Sequence, residues 1–153
     1  MAIDQKLAEL GVILPDTAAP VGSYAPVKMA GNLAFVSGML PVVKGQVKET
    51  GCVGANVSTE EAYELARVCV INGLAALKRA IGTLDRVKGI VMVQGFVQAA
   101  PDYDEVPKVI NGASDLLVGI FGDAGRHARF AVGVASLPMN APVELAFIAE
   151  LIP

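Results

Sequence analysis

Residues His127–Leu151 read HARFAVGVASLPMNAPVELAFIAEL. Two apolar runs flank Pro138-Met139-Asn140-Ala141-Pro142, whose prolines interrupt strand pairing. The pattern predicts a closing hairpin, Ala128–Leu137 against Val143–Leu151. Two charges interrupt it, Arg129 early in the first run and Glu144 early in the second. With Ser136 or Leu137 facing Val143, Arg129 falls opposite Glu150, and Glu144 opposite Ala135. Arg129 and Glu144 are then about six positions apart along the ladder, roughly 20 Å at ~3.3 Å per residue, too far to meet within one hairpin. Arg129 is left with two readings. It is an edge salt bridge to Glu150, of small energetic weight, or it lines a cavity. The two-residue period puts Ala131, Gly133 and Ala135 on its face, leaving space beside the guanidinium. A permanently charged planar fork beside such a space suits a carboxylate.

Outward from this segment, the chain alternates strand and helix signals. Ile3, Leu7 and Leu10 recur at helical spacing and Gly11 stops them, so the N-terminus reads as a short amphipathic helix. A loop, Pro15–Pro26, follows. Ala25–Ala30, the turn Gly31-Asn32 and Leu33–Ser37 form a hairpin, with a bulge or close approach marked at Ser37-Gly38. A second turn centres on Lys44-Gly45. Ser58 with Glu61 is a capping box that opens a helix carrying Ala62, Leu65, Ala66, Cys69, Gly73, Leu77 and Ile81, closed by Gly82. Arg86–Gln98 is β-rich, and a second helix runs from about Asp104 to Phe121, with Gly122 as its cap. The order predicts an α+β fold in a single domain, residues 1–153, with residues 1–18 as helix and lead-in. Two helices cover one face of the sheet.

Composition says what covers the other. Hydrophobic residues make up 54% of the 153 and mean hydropathy is +0.54, yet no apolar run reaches the length of a membrane span. The surplus predicts an apolar subunit interface. The start lacks the basic and long apolar regions of a secretory signal, so a cytoplasmic location is expected. Cys52 and Cys69 form no CxxC and share the chain with one histidine, which argues against zinc and for small buried apolar roles. Net charge is −3 with a pI near 5.1 and no basic run, which disfavours nucleic acid and anionic membranes as partners. His127, beside Arg126, reads as a loop residue whose partial charge complements the dipole of the preceding helix.

The C-terminal pattern R-x-x-V-x-V-x-x-L-P-x-x-x-x-x-E, carried by Arg129, Val132, Val134, Leu137, Pro138 and Glu144, resembles the Rid family (YjgF-like imine deaminases, also called L-PSP endoribonuclease-like). The resemblance runs from Ala19 to Leu151. It includes V-G-S-Y for the family's G-P-Y (Tyr24), V-S-G for S-G-Q (Ser37, Gly38) and V-I-N-G for V-N (Asn111). Met39 replaces the family glutamine and Ala131 its cysteine, which places the chain in a divergent branch.

The resemblance implies a chorismate-mutase-like fold, a homotrimer with inter-subunit clefts, and no cofactor or metal. It implies hydrolysis of 2-imino acids, such as 2-iminopropanoate or 2-iminobutanoate, to 2-keto acids and ammonia. Arg129 would hold the carboxylate and Glu144 would position or deprotonate water, while Tyr24, Ser37, Gly38, Asn111 and Ala131 would line the pocket. Without the resemblance, Tyr24 reads equally as a boundary aromatic, and Asn111 as an exposed helix position. A trimer that binds small carboxylates without turnover is the alternative. Ribonuclease activity has the acidic pI and single histidine against it, and chorismate mutase shares only the fold.

Overall fold

The computed structural model describes residues 2–17, 20 and 22–153. Met1, Ala18, Ala19 and Val21 lie outside the described residues, and with them the first residue of the family-like region and the valine of V-G-S-Y. Helix α1, Ile3–Glu9, buries Leu7 and ends before Gly11. Strands β1 (Val27–Ala30) and β2 (Leu33–Met39) pair through the expected two-residue turn, with Ala30 opposite Leu33 and Gly31 at φ 60°. The ladder starts at Val27 rather than Ala25, since Pro26 has no N–H to donate. The Pro26 carbonyl still accepts the Ser37 N–H at 2.9 Å. Short strands β3 (Val42–Val43) and β4 (Gln46–Val47) flank the Lys44-Gly45 turn, where both residues have positive φ.

Helix α2, Thr59–Ile81, begins where the Ser58 hydroxyl accepts the Glu61 N–H at 3.0 Å, and ends at Gly82. Strand β5 is Val87–Gln98. Helix α3 is Val106–Phe121. It starts two residues later than the pattern suggests, because Pro107 lacks an N–H and is tolerated only in a first turn. Strands β6 (Ala128–Val134) and β7 (Val143–Leu151) complete the chain.

These last two strands do not form the expected hairpin. The five-stranded sheet runs β1-β2-β7-β5-β6, so β5 lies between β6 and β7. It pairs parallel with β6 and antiparallel with β7. Arg129 therefore faces Val93 across the ladder, not Glu150, and Glu144 faces Phe96, not Ala135. Glu150 pairs instead with Lys88 at 3.0 Å. A parallel pair needs a crossover element, and α3 supplies it between β5 and β6. The connection from β6 to β7 contains Pro138, and Met139 and Asn140 both have positive φ. It carries the chain past β5 to the next slot.

The mixed α+β architecture is the one expected. Helix α2 packs over β2 and β7, α3 over β5 and β6, and the helices pack on each other. Val143, Leu145, Phe147, Ala149 and Leu151 of β7 all point to this side and are buried. Strand alternation sends Phe35, Met92, Phe96, Phe130, Val132, Ala146 and Ile148 to the other face. Among the described residues, no element covers them. Phe35 is 40% and Val132 42% exposed, and Phe130 meets Phe96 edge-on at 5.5 Å. Among the described residues, no helix is long and apolar enough to cross a membrane.

The helix pair is in close contact at Gly112 of α3, where a Cβ would collide with the Tyr63 carbonyl oxygen of α2. Gly119, on the same helix, has only Leu10 Cδ1 at 3.7 Å from the equivalent position. Gly112→Ala is expected to destabilise by about 1–3 kcal/mol through overpacking. Gly119→Ala is expected to stabilise by up to about 1 kcal/mol, through helix propensity. Urea denaturation of the two variants checks the opposite signs.

Candidate functional site

Arg129 lies on the outermost strand. Its neighbour Phe130 turns to the open face against Phe96, so alternation turns Arg129 toward α3. There Nη1 donates to Asn111 Oδ1 at 2.8 Å and to Ser114 Oγ at 3.0 Å, and Nη2 donates to the Pro107 carbonyl at 3.4 Å. Residues 107, 111 and 114 fall on one stripe of the helix. All three acceptors are neutral, and none of the ion pairs among the described residues includes Arg129. The guanidinium is thus held in place without its charge being cancelled.

Asn111 is therefore neither a solvated helix position nor detached from the arginine. Ser114 was not singled out by the sequence. Its signal is its spacing, one turn beyond Asn111 on the same face. Ala131 lies two residues beyond Arg129 on the same side of β6 and packs at the edge of the core. His127 differs from expectation. Burial lowers its pKa from 6.5, opposed by a hydrogen bond to the Ala128 carbonyl and reinforced by the Arg129 charge. Burial thus disfavours the charged form of His127 that would complement a helix terminus. Its Nδ1 lies 3.0 Å from the Ala128 oxygen, and Arg126 instead faces Asp123 at 3.6 Å.

The remaining sequence-derived residues gather elsewhere. Ladder register slips between Val36 and Met39, which is the bulge expected at Ser37-Gly38. The bulge brings Gly38 against Glu144, where a Cβ would lie 2.5 Å from Oε1. Ser37 donates its hydroxyl to the Ala25 carbonyl at 2.6 Å. Tyr24 precedes that residue and is 57% exposed. Glu144 itself is half-buried, and burial raises its pKa above 4.5. No hydrogen bond or ion pair of its carboxylate occurs among the described residues. Burial, and then the Glu144 charge, push the Cys69 thiol well above its ordinary range. Cys69 is the buried small residue expected, whereas Cys52 is only partly buried.

The two groups are distinct. Arg129 is level with Val93 and Glu144 with Phe96, on strands that flank β5. Two strand spacings and three residues along the ladder place their Cα atoms roughly 14 Å apart, and their side chains leave opposite faces of the sheet. The hairpin separation of roughly 20 Å read from the sequence is thus replaced by a shorter one across an interposed strand.

Gln98 was also missed. Its buried amide donates to the Gly51 carbonyl at 2.9 Å and to Asn140 Oδ1 at 2.7 Å, while its oxygen accepts the Leu137 N–H at 2.7 Å. One fully satisfied side chain thus fixes the turn that leads from β6 to Glu144. Among the described residues, no cluster of three or more His, Cys, Asp or Glu is placed to hold a metal ion.

Chemically, Arg129 offers a fixed positive fork and Glu144 a carboxylate with increased affinity for a proton. The raised pKa of Glu144 sets the sign of a pH effect. Folding stability associated with this group is greatest below about pH 4.5 and declines as pH rises through the raised folded value. Glu144→Gln is therefore expected to be more stable than the parent at pH 7, with the gap closing toward pH 4. Denaturation midpoints across that range check it.

Similarity to known proteins agrees with the fold. A profile of the family described as "YjgF/chorismate_mutase-like, putative endoribonuclease" matches residues 4–151. The chain is 42% identical over 146 residues to Protein TCP17 of Trypanosoma cruzi, covering 95% of this chain and 91% of that protein. Among solved structures, Atu1372 of Agrobacterium tumefaciens is 43% identical with a TM-score of 0.91, over 98% of this chain and 92% of that one. A candidate endoribonuclease from Shewanella oneidensis is 35% identical with a TM-score of 0.95, over 99% and 100% of the two chains. With the fold and a profile over nearly the whole chain in agreement, the chain belongs to the YjgF/chorismate-mutase-like family, the Rid proteins.

Proposed function

We propose that this protein is a homotrimer that hydrolyses small 2-imino acids at the boundaries between its subunits. The observation that carries the reading is the Arg129 guanidinium, anchored by neutral oxygens and still carrying an uncompensated charge. Such a group binds a substrate carboxylate more strongly than one already neutralised by a protein carboxylate. Glu144 lies too far away to serve the same pocket within one chain, so a neighbouring subunit brings the complementary group. The uncovered apolar face, with Phe35, Phe130 and Val132, supplies the contact that holds subunits together.

In this reading Arg129 fixes the imino acid by its carboxylate. Glu144 of the adjacent subunit takes a proton from water as the oxygen attacks the C=N carbon. The C–N bond then breaks, the nitrogen leaves as ammonia after proton transfer, and a 2-keto acid remains. Gly38 gives the substrate or water close access to backbone beside Glu144, and Tyr24 flanks the entrance. The reaction needs no metal or organic cofactor, because a protonated imine is already electrophilic.

The second reading is binding of a 2-keto acid or similar carboxylate without turnover. It is favoured by Met39 and Ala131, which stand where the family carries a glutamine and a cysteine while the arginine itself is kept.

Consumption of 2-iminopropanoate generated in situ separates the two readings. Turnover by the parent protein, reduced on the order of 100-fold in Arg129→Ala, supports hydrolysis. Binding of pyruvate without turnover supports the alternative. Shared sites make a further expectation. Mixing inactive Arg129→Ala and Glu144→Gln chains under subunit exchange should restore about a quarter of the activity, because one boundary in four then pairs both intact residues. No restoration, or a monomeric mass in sedimentation, overturns the trimeric site.

A further inference from the structure

We infer that Ser114 is a positioning residue that aims Arg129, so that the bound carboxylate is taken side-on by Nε and Nη2. The inference rests on the carboxylate-binding reading of Arg129 and goes beyond it by specifying which edge of the guanidinium is used and what selects that edge.

A guanidinium has five N–H groups, one on Nε and two on each Nη. Both Nη1 hydrogens have acceptors, Asn111 Oδ1 at 2.8 Å and Ser114 Oγ at 3.0 Å. One Nη2 hydrogen has the Pro107 carbonyl at 3.4 Å. These acceptors occupy a single stripe of α3 and so approach the guanidinium from its Nη1 end. What remains is Nε–H and one Nη2–H, which point in parallel from the other edge. That pair matches the two oxygens of a carboxylate.

Ser114 is the member of the clamp whose removal frees this arrangement. Asn111 alone leaves one Nη1 hydrogen without an acceptor, and the guanidinium can then rotate its end-on edge toward the ligand. With Ser114 present, that edge is consumed. The helix is itself held against rotation. The Tyr63 hydroxyl of α2 donates to Asp115 at 2.6 Å, next in sequence to Ser114, and Gly112 brings the two backbones into contact. The clamp is thus carried by a rigid pair of helices rather than by a loop.

The test compares the full-length parent, Ser114→Ala, Ser114→Thr and Arg129→Ala. The probes are 2-iminopropanoate turnover and calorimetric binding of pyruvate and its neutral analogue pyruvamide. Ser114→Ala is expected to raise KM, and the Kd for pyruvate, about tenfold, as befits one hydrogen bond to a charged group. Its kcat should stay within about twofold, and its preference for pyruvate over pyruvamide should shrink. Ser114→Thr, which keeps the hydroxyl, should restore both. A merely structural role would change thermal stability and leave that preference intact. Parent-like KM, Kd and preference in Ser114→Ala overturn the inference while leaving the Arg129 reading in place, provided Arg129→Ala loses binding. A parent protein that neither binds pyruvate nor turns over the imine overturns both.

Discussion

The parallel pairing of β6 with β5 is the constraint on which the rest of the molecule depends. Parallel neighbours need a crossover, and α3 is that crossover. Because α3 lies directly over β6, a side chain on the inner face of that edge strand meets the helix before it meets solvent. Arg129 occupies that position and is gripped by Asn111 and Ser114. The same pairing pushes β7 to the far side of β5, and alternation then turns Glu144 to the open face. Had β6 and β7 formed a hairpin, the arginine would have stood opposite Glu150, and its charge would have been matched at once.

Electrostatics follow from this placement. The surface pairs Lys78–Asp4 and Lys88–Glu150 cancel their charges in solvent and contribute little to stability. Arg129 and Glu144 are treated differently. Each is partly withdrawn from water, and each lacks an opposite charge. Neutral oxygens satisfy much of the hydrogen-bonding demand of the guanidinium without reducing its attraction for an anion. Glu144 has no such help, which is why burial raises its pKa. Burial and the Arg129 charge both disfavour a second positive charge on His127. A fold that maximised its own stability would pair these groups. Leaving them apart keeps both available to a third party.

Much of the local structure was legible because its causes are local. Gly31-Asn32 and Lys44-Gly45 make tight turns for reasons contained in those residues. Ser58 caps α2 through Glu61, three residues away, and the bulge at Ser37-Gly38 follows from a glycine within a strand. Arg129 and Glu144 stood out as charges within apolar runs, and the family resemblance added Asn111, Tyr24, Ser37 and Gly38. The contact between Arg129 and Asn111 was not legible, nor was any role for Ser114 or Gln98. A serine on a helix and a glutamine at a strand end have no distinctive pattern until their neighbours in space are known.

The sequence by itself determined which segments become strands and helices, where their turns fall, and that an arginine and a glutamate interrupt otherwise apolar strands. Those outcomes depend on backbone preferences, side-chain periodicity and residue type, all of which act over a few positions. Only the tertiary structure decided that β5 enters between β6 and β7, that Arg129 meets α3, and that Glu144 meets Gly38 on the other side of the sheet. Strand order is set by how whole layers bury apolar surface and by the crossover a parallel pair requires, and adjacency along the chain does not encode it.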